Sequence, residues 1–195
     1  MTLGGMTGWI DAFERLLAAF DRLAIQYMIG GSLASSAMGA WRATQDIDIV
    51  AKLTPIDIGP LAKTLGNDYY TDVETMREAL DSGRPFNIIH YRSSFKFDIF
   101  PLPVDPYYEM EFSRRVHTDI RMDRERVVSF WVATPEDIVL TKLAWYQAGG
   151  SVSDRQWADI RGVIAIQRKR LDTAYLSHWA CHLNVSTLLN RALQE

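Results

Sequence analysis

Between Trp9 and Leu23 the apolar residues Trp9, Ile10, Phe13, Leu16, Leu17, Phe20 and Leu23 recur every three or four positions, the spacing that lines one face of an α-helix. The stripe predicts an amphipathic first helix packed on a sheet. The period then shortens. "IQYMIGG" reads as a short buried strand, ended where Gly30 and Gly31 permit a tight turn. Ser32 stands where an N-cap is expected, ahead of the small-residue helix "LASSAMGA". "DIDIVAKL" follows with strict alternation: Ile47, Ile49 and Ala51 on one face of a strand, Asp46, Asp48 and Val50 on the other.

Further along, Pro55 and Pro60 bracket a turn, with a helix over Ile58 to Leu65. "FNIIHYRSSFKFDIF" is a hairpin around Arg92, Ser93 and Ser94, in which Phe95, Phe97 and Ile99 alternate with Lys96, Asp98 and Phe100. "VHTDIRMDRERVVSFWVA" predicts another strand pair. From Thr134 the pattern turns helical: "TPEDIVLTKLAWYQAG" has a threonine cap, proline in the first turn, acids next and glycines at the stop. Two or three more helices complete the chain. Trp131, Trp145, Trp157, Trp179 and Tyr146 are expected to form core between helices and sheet, and His90, His117, His178 and His182 to be surface or packing residues. The pattern defines an α/β (α+β) protein, a mixed sheet flanked by helices over residues 1–133 with a helical region over 134–195.

Composition narrows the picture. In 195 residues, 48% apolar and 23% charged residues are ordinary for a globular domain with a real core. Cys181 is the single cysteine, which excludes an intrachain disulfide or a cysteine-based zinc cluster and favours a reducing, cytoplasmic setting. No apolar run approaches a membrane span, and the N-terminus lacks the basic start and apolar stretch of a signal peptide. A net charge of −3 argues against bulk electrostatic binding to nucleic acid. "QRKR" is either a solvated helix end or a small basic spot.

The chemistry concentrates in the acids. Asp46 and Asp48 lie on one strand face, ~7 Å apart along it, where their charges repel. A hard divalent cation such as Mg²⁺ takes oxygen ligands, bridging one or two carboxylates to substrate phosphates. Asp98, in an apolar strand where an unpaired charge is expensive, is the candidate third acid. Three such carboxylates suit one ion or a two-metal clamp. The competing reading is structural: the acids pair with Arg42, Lys52 or Lys96 and stabilise strand ends. Gly30, Gly31 and Ser32 suit a phosphate, since glycines let backbone approach it and a helix start presents free N–H groups. They serve equally as a plain strand-to-helix turn. Arg42 offers a planar fork for phosphate or for an acid.

Gly31-Ser32, a thirteen-residue spacer, Asp46-Ile47-Asp48 and the later Asp98 together resemble the signature of the nucleotidyltransferase fold superfamily, over about residues 9–100. "EDIVLTKLAWY" and "DRQWADIRGV" are similar to the helical region of minimal nucleotidyltransferases and of abortive-infection type nucleotidyltransferase toxins. The resemblance implies a nucleotidyltransferase-like sheet and transfer of a nucleoside monophosphate from an NTP to an acceptor hydroxyl, with pyrophosphate leaving. Asp46, Asp48 and Asp98 are then the catalytic and metal-binding residues for one or two Mg²⁺ ions. Gly30, Gly31, Ser32, Arg42, Lys142 and Asp159 bind the nucleotide. Lys142 would contact the triphosphate and Asp159 orient it or hold the site together. The acceptor is open: a small molecule, a tRNA or a protein. Two other readings share the pocket, a silent nucleotide- or partner-binding module and a toxin held by an antitoxin partner.

Overall fold

The computed structural model describes residues 8–39 and 44–195. The chain forms two units, each assembled from separated stretches: unit 1 from Met1–Ile29, Gln45–Val104 and His117–Trp131, unit 2 from Gly30–Thr44, Asp105–Val116 and Val132–Glu195.

Unit 1 is built on a sheet. Its strands are β1 (Tyr27–Ile29), β2 (Asp46–Ala51), β3 (Tyr69–Tyr70), β4 (Phe86–His90), β5 (Phe95–Pro101), β6 (Val116–Arg121) and β7 (Val127–Val132), in the order β3-β4-β5-β2-β1-β7-β6. The sheet is mixed, because β2 runs parallel to β5 and antiparallel to β1. Helix α1 (Gly8–Arg22) carries the expected stripe, with Ile10, Phe13, Leu16, Leu17 and Phe20 all buried. It lies on one face of the sheet: Trp9 stacks on Phe95, and Phe13 meets both Phe97 and Phe130. Each large apolar side chain so buried contributes about 1.5–3 kcal/mol. The strand alternation is as the sequence predicts, with Ile47, Ile49, Phe97 and Ile99 wholly buried on this face.

Helix α3 (Pro55–Leu65) differs from expectation, since both prolines are helical. Pro55 sits in the first turn, where its missing N–H costs nothing. Pro60 forfeits only a bond to the carbonyl of Ile56, a residue in the exposed first turn. Helix α4 (Val73–Asp81) joins β3 to β4, started by Asp72 accepting from Thr75 N–H; the sequence pattern left it unread because its apolar face is short.

Unit 2 comprises α2 (Gly31–Met38), α5 (Pro106–Arg114), α6 (Pro135–Ala148), α7 (Asp154–Gln167), α8 (Thr173–His182) and α9 (Ser186–Gln194). Thr134, Ser153 and Asp172 cap α6, α7 and α8 through their side chains, each such cap stabilising its helix by ~1 kcal/mol. The serine cap expected for α2 is corrected: Gly30 is the N-cap, and Ser32 lies within the first turn. Trp157 and Tyr146 are core, whereas Trp131 and Trp145 are 37% and 42% exposed. Trp145 sits on an open face of α6, and Trp131 on the outer face of β7, edge-on to His117.

Close packing in unit 2 depends on Gly39. A Cβ added there would meet the Ser35 carbonyl oxygen at 2.8 Å and the Val163 backbone nitrogen at 3.0 Å. Neither is a flexible side-chain end. Gly39→Ala is expected to lose about 1–3 kcal/mol by overpacking, read as a lowered urea midpoint with unchanged slope.

Candidate functional site

Asp46 and Asp48 stand on the half-open face of β2, opposite to the face that α1 covers. The parallel register places Asp46 across from Lys96 and Asp48 across from Asp98. Neighbouring strands lie about 4.8 Å apart, so two carboxylates occupy adjacent positions and a third is two residues along. A slip of β2 by one residue would drive Asp46 and Asp48 into the apolar core and expel Ile47 and Ile49 from it, and a slip of β5 would do the same to Asp98, Phe97 and Ile99. Core burial therefore enforces the register that gathers the acids.

Lys96 stands among them. Its Nζ donates to Asp98 Oδ2 at 2.6 Å, with the lysine side chain 40% and the aspartate 15% exposed. That hydrogen bond, foremost, and the charges of Asp46 and Asp48 hold the ammonium above the ordinary lysine range, against the opposing cost of burial. Asn87 faces Asp98 from the other side, through the antiparallel β4–β5 register. It follows from counting outward from the four-residue turn, and residue type alone did not mark it. Among the described residues, no group of three or more His, Cys, Asp or Glu side chains is arranged to hold a metal ion as it stands. A groove of about 790 Å³ in unit 1 runs along Ala62, Lys63, Tyr70, Thr71 and Tyr91 and takes in none of the expected site residues.

The remaining expected residues that the structure describes, Gly30, Gly31, Ser32, Lys142 and Asp159, belong to unit 2. Gly31 takes φ of +55°, a backbone region that favours glycine, so the turn after β1 needs the residue found there. Lys142 Nζ, from α6, donates to Asp159 Oδ2, from α7, at 2.9 Å. Both side chains are nearly buried, 11% and 7% exposed. The structure thus brings Lys142 and Asp159 together, as it brings together Asp46, Asp48 and Asp98. Arg42 lies outside the described residues.

Unit 2 also holds a buried titratable cluster that the sequence pattern did not reveal. Thr141 Oγ1 donates to Glu111 Oε1 at 2.9 Å and contacts the Tyr107 hydroxyl at 3.0 Å. Asp137, wholly buried, accepts from Tyr175 Oη at 2.6 Å, from Thr134 Oγ1 at 2.5 Å and from Arg114 Nε at 3.3 Å. Burial, with the nearby Asp137 charge adding, pushes the Glu111 carboxyl up to about 8. Burial likewise raises Asp137, opposed by its hydrogen bonds and by Arg114.

Seen against known proteins, the architecture is that of a nucleotidyltransferase fold. The chain is similar to a crystal structure of ANT(2'')-Ia in complex with adenylyl-2''-tobramycin, with a TM-score of 0.53 and 16% identity over 91% of this chain and 98% of that one. It is also similar to a solution structure of ANT(2'')-Ia, at a TM-score of 0.49, 18% identity and 90% and 95% coverage of the two chains. A third similarity is to an antigenic nucleotidyltransferase-like protein from Paracoccidioides brasiliensis, at 0.47, 16% identity and 100% and 94% coverage. No protein-family model matches the chain, and no curated protein sequence matches it. Identities this low carry the fold and nothing finer. Among the described residues no helix is long and apolar enough to cross a membrane.

Proposed function

We propose that this chain is a Mg²⁺-dependent nucleotidyltransferase that moves a nucleoside monophosphate from an NTP to an acceptor hydroxyl. The observation that carries the reading is the β2–β5 register, which sets Asp48 opposite Asp98 with Asp46 beside them on an open sheet face. The chemistry of the donor set favours a hard divalent cation there, since the donors are all carboxylate oxygens.

When bound, Mg²⁺ neutralises phosphate charge and aligns the attacking and leaving oxygens. Asp46 and Asp48 are the residues that would hold it. Asp98 either shares a second ion or takes the proton of the acceptor hydroxyl. The hydroxyl oxygen bonds to the α-phosphorus as the bond from that phosphorus to the β-phosphate oxygen breaks, and pyrophosphate carries off the electron pair. Positioning and charge neutralisation supply most of such a rate enhancement. For the nucleotide, the proposed contacts are the Gly30 and Gly31 backbone, the Ser32 hydroxyl, the Arg42 fork and Lys142. Asp159, paired with Lys142 at 2.9 Å, would orient that lysine. The acceptor is a small molecule, a tRNA or a protein.

A silent nucleotide-binding module is the second reading, favoured by the Lys96–Asp98 ion pair, which occupies a carboxylate that turnover needs. The test is pyrophosphate release from each NTP with Mg²⁺, using tobramycin, bulk tRNA and protein as separate acceptor pools; tobramycin is included because the ANT(2'')-Ia structure holds its adenylyl product. Release with labelled product in one pool is expected. NTP binding by calorimetry without release in any pool would establish the module instead.

A further inference from the structure

Lys96 has no place in the transfer just described, yet the register sets it beside the acids. It faces Asp46 across β2–β5 and projects from the same face as Asp98, two residues on. On its other side it faces Ile89 of β4, an apolar neighbour that offers it no charge. It makes an ion pair at 2.6 Å with Asp98 Oδ2.

We infer that Lys96 is a tethered stand-in cation: it holds Asp98 when no divalent ion is bound, and it must leave Asp98 for the ion to bind. The inference rests on the proposed metal reading. The physical case is one of competition. An ammonium and a divalent ion cannot both take the same carboxylate oxygen, and a positive charge within a few ångströms repels an incoming cation. Lys96 therefore lowers divalent affinity while stabilising the ion-free protein, which makes it a positioning residue. At 40% exposure its side chain can swing outward at small cost. Once released from Asp98, the ammonium remains tethered beside the acids, where incoming phosphate charge would receive it.

The test is Mn²⁺ binding by calorimetry and thermal midpoints with and without Mn²⁺, both free of any turnover readout. Lys96→Met is expected to bind Mn²⁺ on the order of tenfold tighter than wild type, to melt a few degrees lower without metal, and to gain more from added Mn²⁺. Lys96→Arg should restore wild-type affinity by keeping the charge. In an Asp98→Asn background the effect of Lys96→Met should shrink toward nothing, because the carboxylate charge that the two cations share is gone. Mn²⁺ binding by wild type that Lys96→Met leaves equal or weaker overturns the stand-in role alone. No Mn²⁺ binding by either protein overturns the metal reading and the stand-in role with it.

Discussion

Asp48→Asn is expected to lower kcat/KM for nucleotidyl transfer by on the order of 10³-fold or more while leaving the metal-free protein folded, with a thermal midpoint close to that of wild type. Asp48 lies directly across from Asp98 and two residues from Asp46 on the same half-open face. Asparagine keeps the shape, so the ion-free sheet keeps its packing. It removes a hard anionic donor for which an amide is a poor substitute. A residue with a purely structural role would move the other way, with stability and activity falling together. Kinetics over a Mg²⁺ titration, set beside thermal midpoints in EDTA, separate the cases. Asp46→Asn should follow the same pattern. A loss of activity that tracks a loss of folding would remove Asp48 from the site.

The second large effect concerns pH. Glu111 is buried in unit 2 with its carboxyl pushed up to about 8 by burial, by the Asp137 charge second, and against the hydrogen bond from Thr141. In the unfolded chain it titrates in the ordinary glutamate range near 4.5. Folded protein therefore retains a proton that unfolded protein has released throughout that window. The stability tied to this proton is fully present below the unfolded value and is lost as pH rises through the folded one. Each pH unit in the window removes on the order of 1.4 kcal/mol. Asp137, also raised, acts in the same direction, and Tyr107, Tyr108 and Tyr175, all raised, add to it only at more alkaline pH. Glu111→Gln reproduces the neutral form. It should leave the urea midpoint almost unchanged at pH 5 and raise stability over wild type by on the order of 4 kcal/mol at pH 9. Parallel wild-type and variant profiles across pH 5–9 would show that Glu111 ionises without cost.

The same cluster shows where local reading stops. Nothing in "PYYEMEFSRR" marks Glu111 as different from Glu109, yet Glu111 is 4% exposed and Glu109 is not buried. The distinction arises from Tyr107, Asp137 and Thr141, which approach from the same helix or from α6, 26 to 30 residues on. Lys142 and Asp159 are a similar case: their types and helix positions are plain in the sequence, but their 2.9 Å contact depends on how α6 meets α7. Lys96 was legible only as one of three possible partners for the acids.

By itself the sequence determined most of the elements and their faces, with β3, α4 and α5 the exceptions. The stripe of α1, the alternation of β2 and the turn of the β4–β5 hairpin are all short-range patterns, enforced by a side-chain period that either buries apolar groups or fails to. It also determined which residues could do chemistry, since Asp46, Asp48 and Asp98 sit on polar faces of apolar strands. The tertiary structure decided which of those faces meet. β2 and β5 are separated in the chain by α3, β3, α4 and β4, and a parallel pairing across such a crossover has no local turn to set its register. Only the shared core beneath Ile47, Ile49, Phe97 and Ile99 does so, and with it Asp48 falls opposite Asp98 and Lys96 arrives between Asp98 and Asp46.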